Sequence, residues 1–398
     1  MADLKIFTEN IEPEALDQIY TLVKQPAFKD CKVRIMPDVH AGKGCVIGFT
    51  ADLGDKVIPN IVGVDIGCGM LTIMLGDIDL DLARLDSIIR KYIPSGRNVY
   101  ETSAHRFDKL QRMYCYRALQ DISRIERSIG TLGGGNHFIE VDVDEEGNKY
   151  LIIHSGSRNL GKQVAEYYQN LAIETMQGKD KLREAQDKLI VKYKELGEHN
   201  QIEKAIKELK RTFAPNPLCI PKELCYLTGE YREQYLHDMK ICQEYASLNR
   251  KIIQLTILEN MGIFKYYSEF ETVHNYIDHD TNIVRKGAIS AKQDELLLIP
   301  INMRDGCIIG KGKGNEDWNQ SAPHGAGRIM SRSKAKEVLS MDEYQETMKD
   351  IYSTSVSKST IDEAPMAYKP MHEIIKNIKD TVDIIKIIKP IYNFKASE

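Results

Sequence analysis

Four residues of types that commonly bind metal ions stand in short glycine-rich segments of this sequence. Asp65 and Cys68 lie three positions apart in the segment Val-Asp-Ile-Gly-Cys-Gly. His137 follows Gly-Gly-Gly-Asn, and His154 follows the apolar run Tyr-Leu-Ile-Ile and opens a Ser-Gly-Ser turn. Glycine lets a backbone turn tightly, so a carboxylate, a thiolate and two imidazoles can converge on one point. Such a ligand set suits a borderline divalent ion such as Mn²⁺, Zn²⁺, Co²⁺ or Ni²⁺.

Each of these residues also has a structural explanation when it is taken alone. A histidine at the end of a strand is more often a satisfied structural residue than a ligand, and a lone cysteine such as Cys68 usually behaves as a small buried hydrophobic side chain. The occurrence of four such residues in glycine-rich turns favours a metal site over these separate explanations.

The glycine-rich segments could also bind phosphate. Consecutive backbone N–H groups in such loops can cradle an anion, and Asn136 and Arg158 supply further donors beside them. Another segment, Pro-His-Gly-Ala-Gly-Arg at 323–328, joins a histidine to a loop of the same kind. Strings like these are common for conformational reasons alone, so by themselves they are weak evidence for a phosphate-bearing substrate.

Composition narrows the class of protein. The chain has 398 residues, of which 54 are basic and 58 acidic, so any RNA contact must come from a local basic track. The content of 42% hydrophobic and 28% charged residues is typical of a globular protein. The start lacks the apolar run of a signal peptide, and no stretch approaches the roughly 20 apolar residues that span a bilayer. We therefore expect a cytoplasmic protein with no membrane partner.

The eight cysteines are scattered along the chain and form no CxxC pair. Together with the missing signal peptide, this spacing favours reduced thiols over a disulfide framework.

The elements that must position these residues are predicted to be of mixed type. Short β-like runs at 62–64, 71–74 and 150–153 alternate with glycine-rich turns and helical stretches. Further β-like runs return after 262. We expect an α+β fold that forms one domain over 1–398.

Between 161 and 262 the sequence changes to helix-like periodicity among mixed charges, which predicts a helical insertion. Within it, 179–212 is expected to form a solvated helical hairpin rather than an arm that grips RNA, and 231–259 is expected to pack on the core through an apolar stripe. At the end of the chain, 380–385 is expected to be helical and 387–390 to begin an extended tail.

Several segments together resemble the signature motifs of the RtcB RNA ligases. Asp-Ile-Gly-Cys-Gly, Gly-Gly-Gly-Asn-His-Phe-Ile-Glu, His-Ser-Gly-Ser-Arg and His-Gly-Ala-Gly-Arg occur in that order, and Met-Pro-Asp-Val-His and Ser-Arg-Ser-Lys-Ala also fit. The resemblance runs from about residue 36 to the C-terminus. It implies an RtcB-like mixed α and β core with GTP and two Mn²⁺ ions as cofactors.

The resemblance implies two metal sites that share a bridging thiolate. Asp65, Cys68 and His137 would hold one Mn²⁺ ion. Cys68, His154 and His274 would hold the second. His274 is assigned from its Val-His-Asn context and its place in the motif order, in preference to the nearby His279.

The nucleophile that the resemblance implies is His324. A neutral imidazole nitrogen of His324 would attack the α-phosphate of GTP, releasing pyrophosphate and leaving a histidine–GMP phosphoramidate. The guanylate would then pass to an RNA 3′-phosphate, often one made by opening a 2′,3′-cyclic phosphate, and give an RNA-3′-pp-5′-G intermediate. An incoming 5′-hydroxyl would displace GMP. Such ends arise in RNA repair or tRNA splicing.

For the nucleotide pocket, the resemblance points to residues spread over the C-terminal two thirds of the chain. They are Asn136, Glu140, Asn302, Cys307, Gly325, Ala326, Gly327, Tyr368 and Lys395. The carboxylate of Glu140 can accept from the N1–H and amino group of guanine. Asn302 and Cys307 stand where better-known members carry serine hydroxyls, and the tail around Lys395 departs from the usual ending.

Basic residues near these motifs are candidates for binding RNA phosphates. Arg158 lies inside a site motif, and Arg328 follows the expected nucleophile. Arg332, Lys334, Lys311 and Lys313 could extend a local track, although ordinary solvated surface charge explains each of them equally well.

Two other functions remain open from the residues. A metal-dependent phosphoesterase would use the same metal ligands without covalent GMP on His324. A protein that binds or caps RNA ends without joining them would keep the RNA contacts only. The sequence also leaves open the physiological RNA, a requirement for an archease-like activator and the oligomeric state, and the choice of Mn²⁺ rests on the resemblance.

Overall fold

The computed structural model describes residues 2–42, 44–103 and 105–396. Helices and strands are mixed along this chain, which confirms the predicted α+β class. The strands are β1 (Asp3–Ile6), β2 (Lys32–His40), β3 (Ile47–Asp52), β4 (Gly69–Gly76), β5 (Phe138–Val143), β6 (Lys149–Ser155), β7 (Ser268–Val273), β8 (Asn275–Ile277), β9 (Ile283–Lys286), β10 (Ala288–Ser290), β11 (Leu296–Asn302), β12 (Gly306–Gly312), β13 (Ser321–Pro323) and β14 (Val382–Lys395).

The α-helices range from six to 33 residues. They are α1 (Pro13–Val23), α2 (Leu82–Tyr92), α3 (Ile122–Arg127), α4 (Arg158–Met176), α5 (Lys179–Glu195), α6 (Ile202–Thr212), α7 (Gly229–Met261), α8 (Arg332–Val338), α9 (Met341–Thr347) and α10 (Met371–Asn377). Among the described residues, none of the helices has the length and apolar content needed to cross a membrane.

Two large sheets organise the fold. The larger has seven strands in the order β11-β12-β14-β5-β6-β4-β7, and every neighbouring pair is antiparallel. The other has five strands in the order β1-β2-β3-β9-β8, with only β1 and β2 parallel. A short β10-β13 pair forms a third sheet. Strands β4, β5 and β6 are buried along nearly their whole length. Apolar residues dominate β4 and the middle of β6, whereas β5 also carries the buried carboxyl groups of Glu140 and Asp142.

The long helix α7 packs against the interior along much of its length. Tyr235, Met239 and Tyr245 belong to a core cluster that also includes β2, β3 and α4, whereas Ile253 and Ile257 belong to a second cluster with β4, β5 and β6. The predicted apolar stripe of this helix is therefore confirmed. In contrast, α5 and α6 contain no buried residue, as expected for a solvated helical hairpin.

Two local predictions were wrong. The segment 380–385 is not helical, because α10 ends at Asn377 and the chain then enters the 14-residue strand β14. Its Val-Asp-Ile-Ile-Lys-Ile-Ile sequence is rich in β-branched residues, which suit a strand. This first half of β14 pairs with β12, and the second half, from Lys389, pairs with β5. The run 62–64 is not a strand either. Gly63 has a φ of 93°, which breaks an extended backbone.

Candidate active site

The five predicted metal ligands lie where four adjacent strands of the seven-stranded sheet begin or end. Asp65 and Cys68 precede β4, His137 precedes β5, His154 is near the end of β6, and His274 follows β7. In the order β5-β6-β4-β7, neighbouring strands run in opposite directions, so two strands begin and two end at this end of the sheet. Antiparallel pairing therefore brings together turns that are up to about 200 residues apart in sequence.

The thiol of Cys68 lies between two imidazoles. Its Sγ is 3.4 Å from Nε2 of His137 and 3.3 Å from Nε2 of His154. Nε2 of His137 is also 3.0 Å from Oδ2 of Asp65. On the other side, the ring centroid of His274 is 5.1 Å from that of His154. The side chains thus form a row with Cys68 near its centre.

Gly156 allows Asp65 to approach this row. A Cβ atom at position 156 would come within 2.2 Å of Oδ1 of Asp65, and the backbone N–H of Ser157 donates to the same oxygen at 3.0 Å. The glycine of the His-Ser-Gly-Ser-Arg motif is therefore required by the close passage of the carboxylate.

Two buried polar residues of α7 hold the ligand-bearing turns. The amide of Asn249 accepts from the backbone N–H groups of Gly130 and Thr131 and donates to Thr131, Ser155 and Gly156. The guanidinium of Arg250 donates to the carbonyls of Gly67 (2.9 Å) and Ser155 (2.8 Å). Sequence reasoning treated α7 as core packing and missed both residues, although a polar pair inside a helix with an apolar stripe was the available signal.

The protonation of the histidines suits metal binding. Nδ1 of His137 is 2.9 Å from the carbonyl of Leu132, so Nδ1–H donates there and Nε2 keeps its lone pair toward Cys68. Burial lowers the pKa of His154 and of His274 well below the usual value, which keeps both imidazoles neutral at neutral pH. Their buried Nδ1 atoms have no hydrogen-bond partner among the described residues.

The charges of Asp65 and Cys68 respond to their surroundings in opposite ways. Burial opposes ionisation of Asp65, but the neighbouring side chains of His137 and Arg158 lower the pKa of this carboxyl overall. Burial, together with the negative charge of Asp65, raises the pKa of the Cys68 thiol well above its usual value. A divalent cation beside the sulfur would reverse that effect, as it does for metal-bound thiols generally. The ligand atoms of Cys68, His137 and His154 lie within 4.8 Å of one another, close enough to hold a divalent cation.

His324 extends the row and pairs with a buried carboxylate. Its ring centroid is 5.0 Å from that of His274. Nδ1 of His324 is 2.6 Å from Oδ2 of Asp38, and the backbone N–H of His324 donates to the same oxygen at 3.1 Å. Because Asp38 accepts the Nδ1 proton, Nε2 of His324 retains its lone pair. Asp38 stands in the Met-Pro-Asp-Val-His segment noted in the sequence, but sequence reasoning assigned it no role.

A cavity opens beside His324, and most of the predicted nucleotide-binding residues line it. Those in the lining are Asn136, Glu140, Asn302, Gly325, Ala326, Gly327, Tyr368 and Lys395, together with His154, His274 and Arg328. The lining also includes Arg332, which the sequence suggested only as part of a basic track, and residues that sequence reasoning missed, among them His40, Phe138, Glu363 and Asn393.

The two departures from the family pattern occupy different positions. Cys307 is fully buried and does not belong to the lining of this cavity, because its thiol lies behind Glu140 and donates to Oε1 at 3.6 Å. Asn302 borders the cavity, but its amide holds the β11-β12 turn. Its Oδ1 accepts from the backbone N–H groups of Arg304 and Asp305, and its Nδ2 donates to the Asp305 carboxylate.

Glu363 pairs with several cationic side chains on one wall of the cavity. It accepts a hydrogen bond from the Tyr368 hydroxyl at 2.7 Å and pairs with Lys395, Arg328 (3.4 Å) and Arg332 (3.1 Å). Burial disfavours its ionised form, yet the charges of Lys395 and the two arginines lower the pKa of Glu363 to about 2. Arg328 also covers the Tyr368 ring at 5.1 Å from the centroid.

The basic track predicted around His324 is largely engaged with carboxylates. Arg328 and Arg332 pair with Glu363, Lys313 with Asp383, and Lys334 with Glu337.

A second and more basic cavity lies on the other side of the metal ligands. Four cationic residues line it, together with Asp65, Asn136 and His137: Arg97, Arg124, Arg158 and Lys162. Asn136 lines both cavities. Of the four cations, only Arg158 was identified from the sequence. Its guanidinium passes so close to Gly133 that a Cβ there would lie 1.7 Å from one of its nitrogens.

Comparisons with known proteins agree with the motifs found in the sequence. A family model described as tRNA-splicing ligase RtcB matches residues 18–121 and 116–396. The RNA-splicing ligase RtcB of Escherichia coli K12 is 29% identical over 440 aligned positions, which cover 99% of this chain and 98% of the relative. The tRNA-splicing ligase RtcB of Methanococcus maripaludis is 26% identical, over 97% of this chain and 92% of its own length.

These matches define the chain as a member of the RNA ligase class. It belongs to the RtcB family, as its motifs predicted.

Proposed function

We propose that this protein is a GTP- and Mn²⁺-dependent RNA ligase that joins 2′,3′-cyclic phosphate or 3′-phosphate ends to 5′-hydroxyl ends through GMP on His324. One observation carries the proposal. His324 borders a cavity that also contains candidate metal ligands, while its Nδ1–H is held by the buried Asp38 at 2.6 Å. An imidazole whose Nδ1–H is held by a carboxylate presents Nε2 to the cavity, and a nitrogen so placed can act as a nucleophile.

This geometry supports a guanylylation step. Nε2 of His324 attacks the α-phosphorus of GTP, the new N–P bond forms, and the bond to pyrophosphate breaks. The proton on Nδ1 stays with the hydrogen bond to Asp38, which stabilises the positive charge that develops on the ring. Two Mn²⁺ ions on Asp65, Cys68, His137, His154 and His274 would neutralise phosphate charge.

The walls of the cavity suit a purine nucleotide. The ionised form of Glu140 can accept N–H groups of guanine, and Lys395 on the neighbouring strand lies 5.7 Å from the centroid of the Phe138 ring. Asn136 stands between the two cavities and can donate to phosphate from either side. Gly325, Ala326 and Gly327 leave room for the ribose next to the nucleophile.

The second cavity is the proposed site for the RNA phosphates. Arg97, Arg124, Arg158 and Lys162 give it a local positive charge that the chain as a whole, at −4, does not have. It shares Asp65 and His137 with the proposed metal site, so an RNA end bound there would reach the metal ions.

The first test is covalent labelling with α-³²P-GTP and Mn²⁺. Acid-labile label is expected on the wild type and on His372→Ala, a control at an exposed histidine. His324→Ala should carry no label. If the wild type remains unlabelled with GTP, ATP and other triphosphates, the ligase mechanism is wrong.

The second test supplies RNA with a 2′,3′-cyclic phosphate or 3′-phosphate on one strand and a 5′-hydroxyl on the other, with and without an added archease. Joined product that depends on GTP supports the proposal. Release of phosphate without joining would indicate a phosphoesterase, and RNA binding without any reaction would indicate an end-binding protein.

A further inference from the structure

Two carboxyl groups lie side by side under the nucleotide cavity. Glu140 and Asp142 are two positions apart on β5 and therefore project from the same face of the sheet. Together with the thiol of Cys307 on β12, their polar atoms fall within 4.8 Å of one another. Asp142 has no exposed surface, and Glu140 is 3% exposed.

The two carboxyl groups differ in their partners. Glu140 accepts from the Cys307 thiol at 3.6 Å and from Nδ2 of Asn393, which stands opposite it on β14. Neither side-chain oxygen of Asp142 has a hydrogen-bond donor in the part of the chain that the structure describes. The next carboxylate on this face, Asp144, is fully engaged with Lys386, Asn148 and Tyr150.

Two ionised carboxylates in this position would repel each other, and that of Asp142 would have no hydrogen-bond donor among the described residues. Like charges that share a buried site hold a proton between them, since one protonated carboxyl can donate to the other. Glu140 has two donors of its own and Asp142 has none, so the proton belongs on Asp142.

We propose that Asp142 is a positioning residue that carries this proton and donates it to Glu140, so that Glu140 meets the base of the bound nucleotide as one correctly oriented, ionised carboxylate. This inference rests on the proposed function, in which the cavity takes GTP. It assigns to Asp142 a part in base recognition although Asp142 does not line the cavity.

The surrounding groups agree with a neutral Asp142. Burial and the adjacent charge of Glu140 raise the pKa of Asp142 well above its usual value. The groups that face the pair are Cys307 from β12, Lys389 and Lys395 from β14, and Tyr150 from β6. Burial also raises the pKa of the Cys307 thiol, so it remains a neutral donor.

The inference predicts an alkaline loss of GTP binding. Below the raised pKa of Asp142 the pair keeps its proton and Glu140 is held. As the pH rises through that pKa the proton is lost, and the affinity should fall by about tenfold per pH unit because binding requires the protonated pair.

The experiment is to measure GTP affinity of the whole chain from neutral to alkaline pH for the wild type, Asp142→Asn, Asp142→Ala and Asp144→Asn. The amide of Asp142→Asn donates permanently, so this variant should bind at neutral pH within a few-fold of the wild type and should lack the alkaline loss. Asp142→Ala should bind weakly throughout. Asp144→Asn, a control two positions along the same face, should keep the wild-type pH profile.

A second measurement needs no nucleotide and no variant. At about pH 8 ordinary carboxyl groups are ionised, so the infrared spectrum of the folded wild type should contain a carbonyl band from one protonated carboxylic acid. Its absence would overturn the inference. So would an identical alkaline loss in Asp142→Asn, or tight Zn²⁺ uptake that Asp142→Asn abolishes.

Failure of the proposed function has a different signature. A wild type that binds no GTP at any pH contradicts both ideas, whereas a wild type that binds GTP with a pH profile unaffected by Asp142→Asn contradicts this inference alone.

Discussion

Nδ1 of His324 lies 2.6 Å from Oδ2 of Asp38, a carboxylate with no exposed surface. These residues are 286 positions apart and come from β2 and from the turn after β13. The backbone N–H of His324 donates to the same oxygen, so both the ring and the main chain of the histidine are fixed by one carboxylate. Nε2 is consequently the nitrogen available for chemistry.

Asp38→Asn should separate nucleophile orientation from nucleotide binding. The substitution preserves shape but allows an amide N–H to face Nδ1, which favours the wrong tautomer of His324. By analogy with other Asp–His pairs, we expect labelling by GTP to slow by about 10²- to 10⁴-fold. GTP affinity should change little. Rapid-quench labelling and equilibrium binding measure the two effects, and Asp317→Asn, at a surface ion pair with Lys5, is the control. An unchanged labelling rate would show that Asp38 does not orient the nucleophile.

Cys68→Ser should disrupt manganese binding at both proposed sites, because the same sulfur would bridge them. We expect affinity for Mn²⁺ to fall by about tenfold or more, measured by isothermal titration and by metal content after gel filtration. Cys307→Ser is a matched control at another buried cysteine and should bind Mn²⁺ like the wild type. Removal of the metal by a chelator should abolish GTP labelling, and added Mn²⁺ should restore it. Equal losses in the two variants would point to a general defect in folding.

Arg124→Ala should weaken RNA binding while GTP labelling persists. Arg124 lines the second cavity but not the cavity beside His324. For a single-stranded RNA end, loss of one phosphate contact should reduce the slope of log affinity against log salt by about 0.7. Fluorescence anisotropy at several salt concentrations measures this slope. Lys204→Ala, on the exposed face of α6, supplies the comparison, and the same slope in both variants would exclude Arg124 from the RNA site.

Glu363→Gln should destabilise the protein more at neutral pH than in acid. Lys395 and the two neighbouring arginines lower the pKa of Glu363 from its usual 4.5 to about 2, so its ionised form favours the folded state above about pH 4.5. This contribution, about 1–3 kcal/mol, is lost as the pH falls from about 4.5 toward 2. Urea unfolding at pH 7 and at about pH 3 should show the difference between variant and wild type shrinking. Glu337→Gln, at an exposed ion pair with Lys334, should show no such trend.

Much of the candidate site could be predicted from the sequence, because metal-ligand residue types and glycine-rich turns are properties of short segments. Asp65 and Cys68 share one turn, and His154 lies in a strand that the apolar run 150–153 predicted, whereas the strand after His137 was not predicted. Helix periodicity likewise identified α7. The pattern at 380–385 was ambiguous, because a short apolar run is compatible with either a helix or a buried strand. Pairing of this segment with β12 decided the outcome.

Contacts between distant segments decided the rest. The sequence by itself determined which residue types stand in which turns, and therefore the family and the candidate ligands. Only the tertiary structure revealed that Asp38 bonds to His324 and that Asn249 and Arg250 hold the turns that carry the ligands. It also showed that Cys307 lies behind Glu140 and that Arg97 and Arg124 line the second cavity. The physical reason is that hydrogen bonding and burial depend on strand order and register, which no single segment of this chain encodes.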